Sequence, residues 1–358
     1  MMPSTSRFSL QMMRGAFRLT AEQMLPDNGI TVISGPSGAG KTTLLRCLAG
    51  LDRAQGHVFI KGKTWQDEQV FVPVHQRSLG MVTQKPGLFA HLDVAQNIAF
   101  AVKRARGKAL PQLVATMVQD FEIAHLMRRR PHQLSGGEQQ RVSVVRALAA
   151  NPYLLLMDEP LSAIDAESRS VVGSMLREQV EARSLQVLWV THAPDELVRM
   201  ADHVMLMRQG QIWAAGSLAE LSSGRLGSDG LLPDIATVHD AVVLAHDGQH
   251  GFDRLQVDDH QWWVEAKDLP TGSRVRIRVL ARDVLLSVTE PLDSSVPNRL
   301  QGRIIQIQPG SGPDSVMVTV QCRTVSLLAK AGHWFCQQHG LQPGMLVWLQ
   351  LPRIEILG

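Results

Sequence analysis

The chain has 358 residues, of which 44% are hydrophobic and 19% are charged, with a formal net charge of +3. This length is about twice that of a usual domain, so two domains are expected, each large enough to bury a core. The composition excludes an intrinsically disordered chain and one built to bind polyanions, because both depart strongly from this balance of apolar and charged residues.

Three cysteines, Cys47, Cys322 and Cys336, are too few and too scattered for a disulfide framework or a zinc site, which indicates a reducing compartment. The N-terminal segment MMPSTSRFSLQMMRGAF has no apolar core of signal-peptide length. No stretch reaches the roughly 18 uncharged apolar residues that a membrane helix needs. We therefore expect a cytoplasmic protein, and any work at a membrane would require another chain to span it.

The first 215 or so residues alternate between predicted strands and helices, which is typical of a mainly parallel sheet with helices on both faces. GITVISG, YLLLMDEP and QVLWVTH are short apolar runs of the kind that buried parallel strands require. Between the first two, residues 86–151 contain helical spacings of apolar residues. The pattern predicts an inserted helical subdomain.

The sequence changes character after Gly216, where SLAELSSGRLGSDGLLPD is rich in Ser and Gly and predicts a tether. We place the domains at residues 1–228 and 229–358. Period-two alternation beyond the tether predicts an all-β domain with one or two small barrels, and the adjacent Trp262 and Trp263 must point to opposite faces of a strand.

A weak internal sequence repeat indicates two related β units, the second at about 292–358. At an offset of 72 residues, Gly272, Val275, Ile277, Val279, Asp283 and Leu285 recur in kind as Gly344, Val347, Leu349, Leu351, Glu355 and Leu357.

The segment GPSGAGKTT matches the phosphate-binding pattern G-x-x-x-x-G-K-[ST], and it follows a predicted strand and opens a predicted helix. Glycines let the backbone curl until successive N–H groups point at one anion. Lys41 adds a cation for the β and γ phosphates, and Thr42 offers a hydroxyl to Mg²⁺. The predicted nucleotide-binding residues are Gly35, Pro36, Ser37, Gly38, Ala39, Gly40, Lys41, Thr42 and Thr43.

A P-loop enzyme also needs a second carboxylate for the metal and a group that orients the attacking water. YLLLMDEP supplies two acids at the end of a buried strand, and we assign Asp158 to the metal and Glu159 to the role of general base. The alternative is a strand that ends in two solvated acids. His192 ends the next strand, 33 residues after Glu159. A lone histidine there is more often a structural cap, but its place beside phosphate-facing strand ends favours a catalytic role.

Five segments in this order, GPSGAGKTT, LSGGEQQR, LLLMDEP, LSAID and WVTHAPDE, resemble the ATPase subunit of ATP-binding-cassette (ABC) transporters over roughly residues 7–215. Gln84 in VTQKPG matches that family's Q-loop. The resemblance implies that two copies sandwich two ATP molecules head to tail, with Ser135, Gly136 and Gly137 of one copy completing the γ-phosphate site of the other. It also implies that Gln84 joins the metal shell and senses the γ-phosphate, and that Asp165 couples the two sites.

The fold class that follows is α/β: a P-loop NTPase of the ABC type with an inserted helical subdomain, then an all-β domain like OB or Mop barrels. Members of the family commonly stack adenine on an aromatic residue ahead of the first core strand. Here that region reads LQMMRGAF. Met12 or Met13 could supply a soft platform, and we expect Phe17 to lie too close to the strand.

In the tail, ARDVLLS followed by SSVPNRLQGRI resembles the molybdate-importer ATPases and their molybdenum-binding β domains. The resemblance implies a homodimer that binds ATP and Mg²⁺ at the cytoplasmic face of the inner membrane, on permease subunits served by an external substrate-binding protein. Ser294, Ser295 and Asn298 would line a site for molybdate or tungstate. Relatives often carry a lysine where Leu351 stands. Either Arg353 replaces that lysine or the tail binds no anion and holds the dimer together.

Two alternatives remain at the level of the sequence. Importers of sulfate, ferric iron, polyamines or sugars share both the cassette and a β tail. A soluble cassette ATPase that acts on nucleic acid or ribosomes is a different class, and such proteins usually show paired cassettes or coiled coils. The single cassette and the lack of a dense basic tract argue against it, so no nucleic-acid partner is expected.

Overall fold

The computed structural model describes residues 6–105, 111–164, 166–222, 235–267, 269–310 and 314–357. The chain divides into two compact units, Met1–Ser217 and Leu218–Gly358. The domain boundary predicted at residue 228 falls within residues 223–234, which lie outside the described part. None of the helices in the described ranges combines the length and apolar character that crossing a bilayer demands.

The first unit is an α/β structure with one large sheet. Its strands are β1 (Ser6–Arg14), β2 (Phe17–Leu25), β3 (Gly29–Ser34), β4 (Gln55–Ile60), β5 (Lys63–Gln66), β6 (Leu79–Val82), β7 (Leu154–Asp158), β8 (Gln186–Val190), β9 (His203–Arg208) and β10 (Gln211–Ser217). Its helices are α1 (Lys41–Ala49), α2 (Val94–Arg104), α3 (Pro111–Asp120), α4 (Gly136–Ala149), α5 (Ala166–Ala182) and α6 (Pro194–Met200).

Strand order in this sheet is β5-β4-β1-β2-β10-β9-β3-β8-β7-β6. Strands β9, β3, β8, β7 and β6 are parallel, as the apolar runs predicted, and every residue of β7 and β8 is buried. The sheet as a whole is mixed, because β1, β2, β4 and β5 of the other half pair antiparallel, a detail that the prediction of a mainly parallel sheet left open. A two-residue hairpin at Gly15, with φ of 60°, joins β1 to β2, and such a short connection cannot link parallel strands.

Helices α2, α3 and α4 lie between β6 and β7 in the chain, in the region where a helical insertion was predicted. Helix α2 begins with a capping box between Asp93 and Gln96, and α4 begins with one between Ser135 and Glu138. Glu138 of the segment LSGGEQQR thus closes a helix cap.

The second unit is built from antiparallel strands. They are β11 (Ala236–Asp247), β12 (Phe252–Val257), β13 (His260–Glu265), β14 (Arg274–Leu280), β15 (Leu285–Ser287), β16 (Arg299–Pro309), β17 (Ser315–Cys322), β18 (Val325–Gly332), β19 (Leu346–Gln350) and β20 (Glu355–Ile356), with short helices α7 (Leu218–Ser222) and α8 (His333–Gln338). Two five-stranded sheets, β13-β12-β11-β14-β20 and β15-β19-β16-β17-β18, share one apolar core.

The predicted internal repeat has a structural counterpart at the start of two strands. Gly272 and Gly344 both have positive φ, 88° and 93°, and each precedes its strand, β14 or β19, by two residues. Trp262 is 1% exposed and lies in the core, whereas Trp263 is only partly buried, which confirms that the two rings take opposite faces of β13.

Candidate active site

The loop between β3 and α1 curls because glycine is required at its two ends. At Gly35 the φ is 149°, and a Cβ atom would meet the Met207 carbonyl oxygen at 2.1 Å. At Gly40 the φ is 98°, and a Cβ atom would meet the Phe17 ring at 2.6 Å. Helix α1 has no side-chain cap at its first turn, so its leading N–H groups face the loop. This geometry suits an anion at the helix N-terminus.

Lys41 lies inside this curl. Its Nζ donates to the carbonyl oxygens of Gly35 at 2.7 Å and Pro36 at 2.9 Å. Burial lowers the pKa of Lys41, while the nearby carboxylates of Glu159 and Asp158 act in the opposite direction. The ammonium is therefore held by loop carbonyls and lies within the electrostatic influence of two acids.

Asp158 is the last residue of β7 and is 8% exposed. Burial raises its pKa, whereas a hydrogen bond from Thr42 and the charge of Lys41 lower it. The Thr42 hydroxyl and the Asp158 carboxylate are thus adjacent, although one follows β3 and the other ends β7. These two of the three predicted metal ligands lie at the same edge of the sheet, as the parallel strand order requires.

Glu159 is bonded on both carboxylate oxygens. Gln84 Nε2 donates to Glu159 Oε2 at 2.8 Å, and His192 Nδ1 lies 2.9 Å from Glu159 Oε1. Glu159 also has a φ of 48°, in the left-handed region that a non-glycine residue rarely adopts. The three residues predicted to be catalytic, each following a different strand, therefore form one network.

The segment LSGGEQQR, which we call the signature segment, contains the start of helix α4. Ser135 Oγ accepts from the Glu138 backbone N–H at 3.3 Å, and the Ser135 N–H donates to Glu138 Oε2 at 2.7 Å. That hydrogen bond also lowers the pKa of Glu138. A Cβ atom on Gly136 or Gly137 would find its nearest neighbours, Ala163 and Ile164, no closer than 3.8 Å. Nothing in the described part of this chain sterically demands glycine at these two positions.

Asp165, the last of the predicted nucleotide-site residues, lies outside the described residues.

Two residues ahead of β3 contact the P-loop or the helix that follows it. The Phe17 ring lies against Gly40 and is partly exposed. Met12 Sδ instead lies 3.6 Å from the buried Cys47 Sγ in α1, where burial raises the pKa of the thiol to about 11. Phe17 is thus an aromatic side chain beside the loop, and whether it or a methionine contacts adenine stays a prediction.

The predicted oxyanion residues of the second unit take part in bonds within that unit. Asn298 is 6% exposed, and its amide accepts from the Trp263 N–H at 2.7 Å and donates to the Trp263 carbonyl at 2.7 Å. Ser294 Oγ donates to the side chain of Gln350 and accepts from the Val296 N–H. Ser295 is exposed. Asn298 therefore clamps β13 to the start of β16.

Comparison with known proteins agrees with this geometry. The sequence pattern of the ABC transporter family matches residues 21–162. The molybdenum import ATP-binding protein ModC of Methylococcus capsulatus is 39% identical over 347 residues, covering 95% of this chain and 96% of the relative. The chain belongs to this ABC transporter family. The protein of the same name from Aromatoleum aromaticum is 41% identical over 353 residues, which are 95% of this chain and 91% of that one.

Among solved structures, the dimeric post-hydrolysis structure of the ATP-binding cassette MJ0796 bound to ADP and Pi aligns with a TM-score of 0.52 at 24% identity. It covers 60% of this chain and 98% of that one. A likeness at this identity shows the ABC cassette fold. Membership of the family makes the chain an ATP-binding protein and an ATPase coupled to transport.

Proposed function

We propose that this ABC ATPase powers molybdate import as a homodimer bound to permease subunits at the cytoplasmic face of the cell membrane, with an external binding protein delivering the anion. The observation that carries this proposal is the extent of the similarity. Relatives named molybdenum import ATP-binding proteins match 95% of the chain, a length that includes the β unit as well as the cassette.

The donor set beside the P-loop fits Mg²⁺, which prefers hard oxygen ligands and few protein contacts. The Thr42 hydroxyl and the Asp158 carboxylate are already adjacent. Gln84 donates its amide N–H to Glu159, which leaves its carbonyl oxygen for the metal. These three residues would hold Mg²⁺, which when bound would neutralise charge on the β and γ phosphates of ATP.

Glu159 is the general base in this proposal. Gln84 and His192 fix both of its carboxylate oxygens, so the side chain is oriented before a water molecule is engaged. Glu159 accepts the proton of the attacking water, and His192 and Gln84 hold the carboxylate in place as it does so. Lys41 binds the β and γ phosphate oxygens from within the curled loop.

The signature segment serves the partner copy. Gly136 and Gly137 do not adopt positive φ and have room for a Cβ atom within their own chain. We therefore attribute the glycines to the close approach of a ligand bound by another copy. Exposed Ser135 and the first N–H groups of α4 form an N-terminal helix tip that suits a γ-phosphate. We assign that phosphate to the ATP held by Lys41 of the partner.

Reconstitution tests the transport proposal. The chain should co-purify with an integral permease in detergent, and vesicles carrying the complex should take up molybdate only when ATP is supplied. Competition by sulfate, ferric iron, polyamine or sugar for the same uptake would reassign the substrate. Recovery of ribosomes or DNA in place of a permease would overturn the importer proposal.

An oxyanion site at Ser294, Ser295 and Asn298 remains a proposal of its own. Because Ser294 and Asn298 already bond within the unit, an anion would have to use Ser295 and backbone N–H groups or displace those bonds. Calorimetric titration of the full chain with molybdate, tungstate and sulfate is the test. Heat for molybdate and tungstate that disappears in Ser295→Ala supports the site, and absence of heat for all three favours a purely structural β unit.

A further inference from the structure

The chain between Gln84 and helix α2 is organised by one buried amide. Asn97, which is 0% exposed, accepts from the Phe89 N–H at 2.9 Å and donates to the carbonyl oxygens of Phe89 at 3.2 Å and Asp93 at 2.9 Å. We call residues 87–93 the post-Q segment. It begins three residues after Gln84, so any displacement of Gln84 is carried into a segment whose shape is fixed.

Arg146 joins this segment to another element. It lies in the last turn of α4, and its Nη1 donates to the Gly87 carbonyl at 2.7 Å and lies 3.5 Å from Asn97 Oδ1. The guanidinium also sits over the Phe89 ring, 5.4 Å from its centroid. Burial lowers the pKa of Arg146. A charge taken out of water costs free energy unless its hydrogen bonds are made, and here the post-Q segment provides them.

The other end of α4 is the signature segment. Ser135 caps the first turn, and Arg146 follows 11 residues later on the same uninterrupted helix. At about 1.5 Å per residue the two lie roughly 16 Å apart on one stiff rod. The helix therefore carries at one end the serine assigned to the partner's ATP and at the other the arginine that grips the post-Q segment.

We propose that Arg146, held by Asn97, is a positioning residue that fixes the post-Q segment to α4. As a result, Gln84, which belongs to the chain's own ATP site, and Ser135, which serves the partner's site, change position together. The inference rests on the roles proposed above for Gln84, Glu159 and Ser135. Coupling of this kind travels through contiguous hydrogen bonds and packed side chains, and Arg146 supplies the bonds at the crossing point.

Removal of the guanidinium tests the proposal. In Arg146→Ala the Gly87 carbonyl loses its hydrogen-bond donor and the Phe89 ring loses its cation. The positions of Gln84 and Ser135 are then no longer linked. We expect kcat for ATP hydrolysis to fall tenfold or more while the KM for ATP changes by less than about threefold, because the P-loop itself is untouched. Arg146→Lys keeps one cationic donor near Gly87 and Phe89 and should recover part of the loss.

Arg183 provides a matched control. It is also partly buried, and its Nη2 donates to the Leu148 carbonyl at 3.2 Å and to Asn151 Oδ1 at 2.9 Å, at the same end of α4 but away from the post-Q segment. Arg183→Ala should lower the melting temperature about as much as Arg146→Ala and leave kcat per folded molecule near the wild-type value. Loss of kcat in both variants would show that α4 stability alone matters and would overturn the proposal.

A double-mutant cycle tests the partnership within the pair. If Asn97 and Arg146 act as one unit, Asn97→Ala should reduce kcat, and the double variant should lose little beyond the larger single effect. If instead the fold losses in kcat of the two single variants multiply in the double variant, the two residues act independently and the proposed partnership is wrong. Full kcat in folded Arg146→Ala, together with an inactive Glu159→Gln, would overturn this inference alone, whereas an active Glu159→Gln would overturn the proposed catalytic roles on which it rests.

Discussion

Glu159 Oε1 lies 2.9 Å from His192 Nδ1, although the two residues are 33 positions apart and follow different strands. The second carboxylate oxygen is taken by Gln84, so the side chain has little freedom to rotate. A carboxylate held at both oxygens on a residue in the left-handed region is a group whose orientation the fold determines.

Glu159→Gln should bind ATP and scarcely hydrolyse it. The amide retains the size of the carboxylate but cannot accept a proton from water, so kcat should fall by about a hundredfold or more. ATP-loaded Glu159→Gln should also persist as a dimer in size-exclusion chromatography, since hydrolysis no longer opens the sandwich. Turnover within tenfold of wild type would remove Glu159 from the role of base.

His192→Ala should reduce kcat by about tenfold to a thousandfold, because Glu159 loses the partner that orients one of its oxygens. His250 gives a control, since it makes a similar contact, 2.9 Å from Nδ1 to Asp247 Oδ2, in the second unit. Steady-state ATPase assays should show His250→Ala unchanged. Equal losses in both variants would indicate a general effect of removing a histidine.

Mixed dimers test the shared site. Lys41→Ala alone and Ser135→Arg alone should each abolish turnover. In a heterodimer of the two, one site carries both changes and the other carries neither. Random pairing should therefore restore about a quarter of the wild-type ATPase rate. No recovery on mixing, with heterodimers confirmed by differential tags, would contradict completion of each site by the partner copy.

Phe17→Ala should weaken ATP binding if the partly exposed ring, which lies against Gly40 of the phosphate-binding loop, stacks on adenine. Loss of a base-stacking ring costs about 1 to 3 kcal/mol, which corresponds to about fivefold to more than a hundredfold in Kd. Fluorescence titration with ATP measures this. Phe17→Trp should retain affinity. A larger effect in Met12→Ala than in Phe17→Ala would reassign the platform to the methionine.

His239 should make the second unit sensitive to acid. Burial lowers its pKa to about 4, with its ring 5.7 Å from that of Trp262. The unfolded chain takes up this proton near pH 6.5 and the folded unit only near pH 4, so the free energy of unfolding falls as pH drops through that window, by about 3 kcal/mol in total. Urea denaturation followed by tryptophan fluorescence should show a weaker pH dependence in His239→Gln. Superimposable profiles would exclude this source of acid sensitivity.

That the residues proposed for the nucleotide site lie close together could be predicted from the sequence, because they follow strands whose parallel order brings their ends together. Lys41, Asp158 and Glu159 are of this kind. The antiparallel half of the large sheet could not be specified in the same way, since β1 and β2 carry no continuous apolar run and their pairing depends on the turn at Gly15.

Long-range side-chain contacts could not be predicted from the sequence for a different reason. Nothing near Arg146 in the chain indicates that it reaches Gly87, and nothing near Asn298 indicates that it clamps Trp263. Both are polar residues that a local reading places on a surface or in a turn. Their partners, 59 and 35 residues away, are selected only when the core packs.

Strand β20 affects the order in which the two units can fold during synthesis. It pairs with β14, and Arg278 bonds to Glu355, 77 residues later in the chain. During vectorial synthesis the cassette can close on its own segments as they emerge, but the first β sheet lacks its edge partner until residues 355 and 356 exist. The cassette should therefore resist protease on the ribosome before its companion unit does, and trimming those few residues should expose the edge of β14 to strand exchange and aggregation.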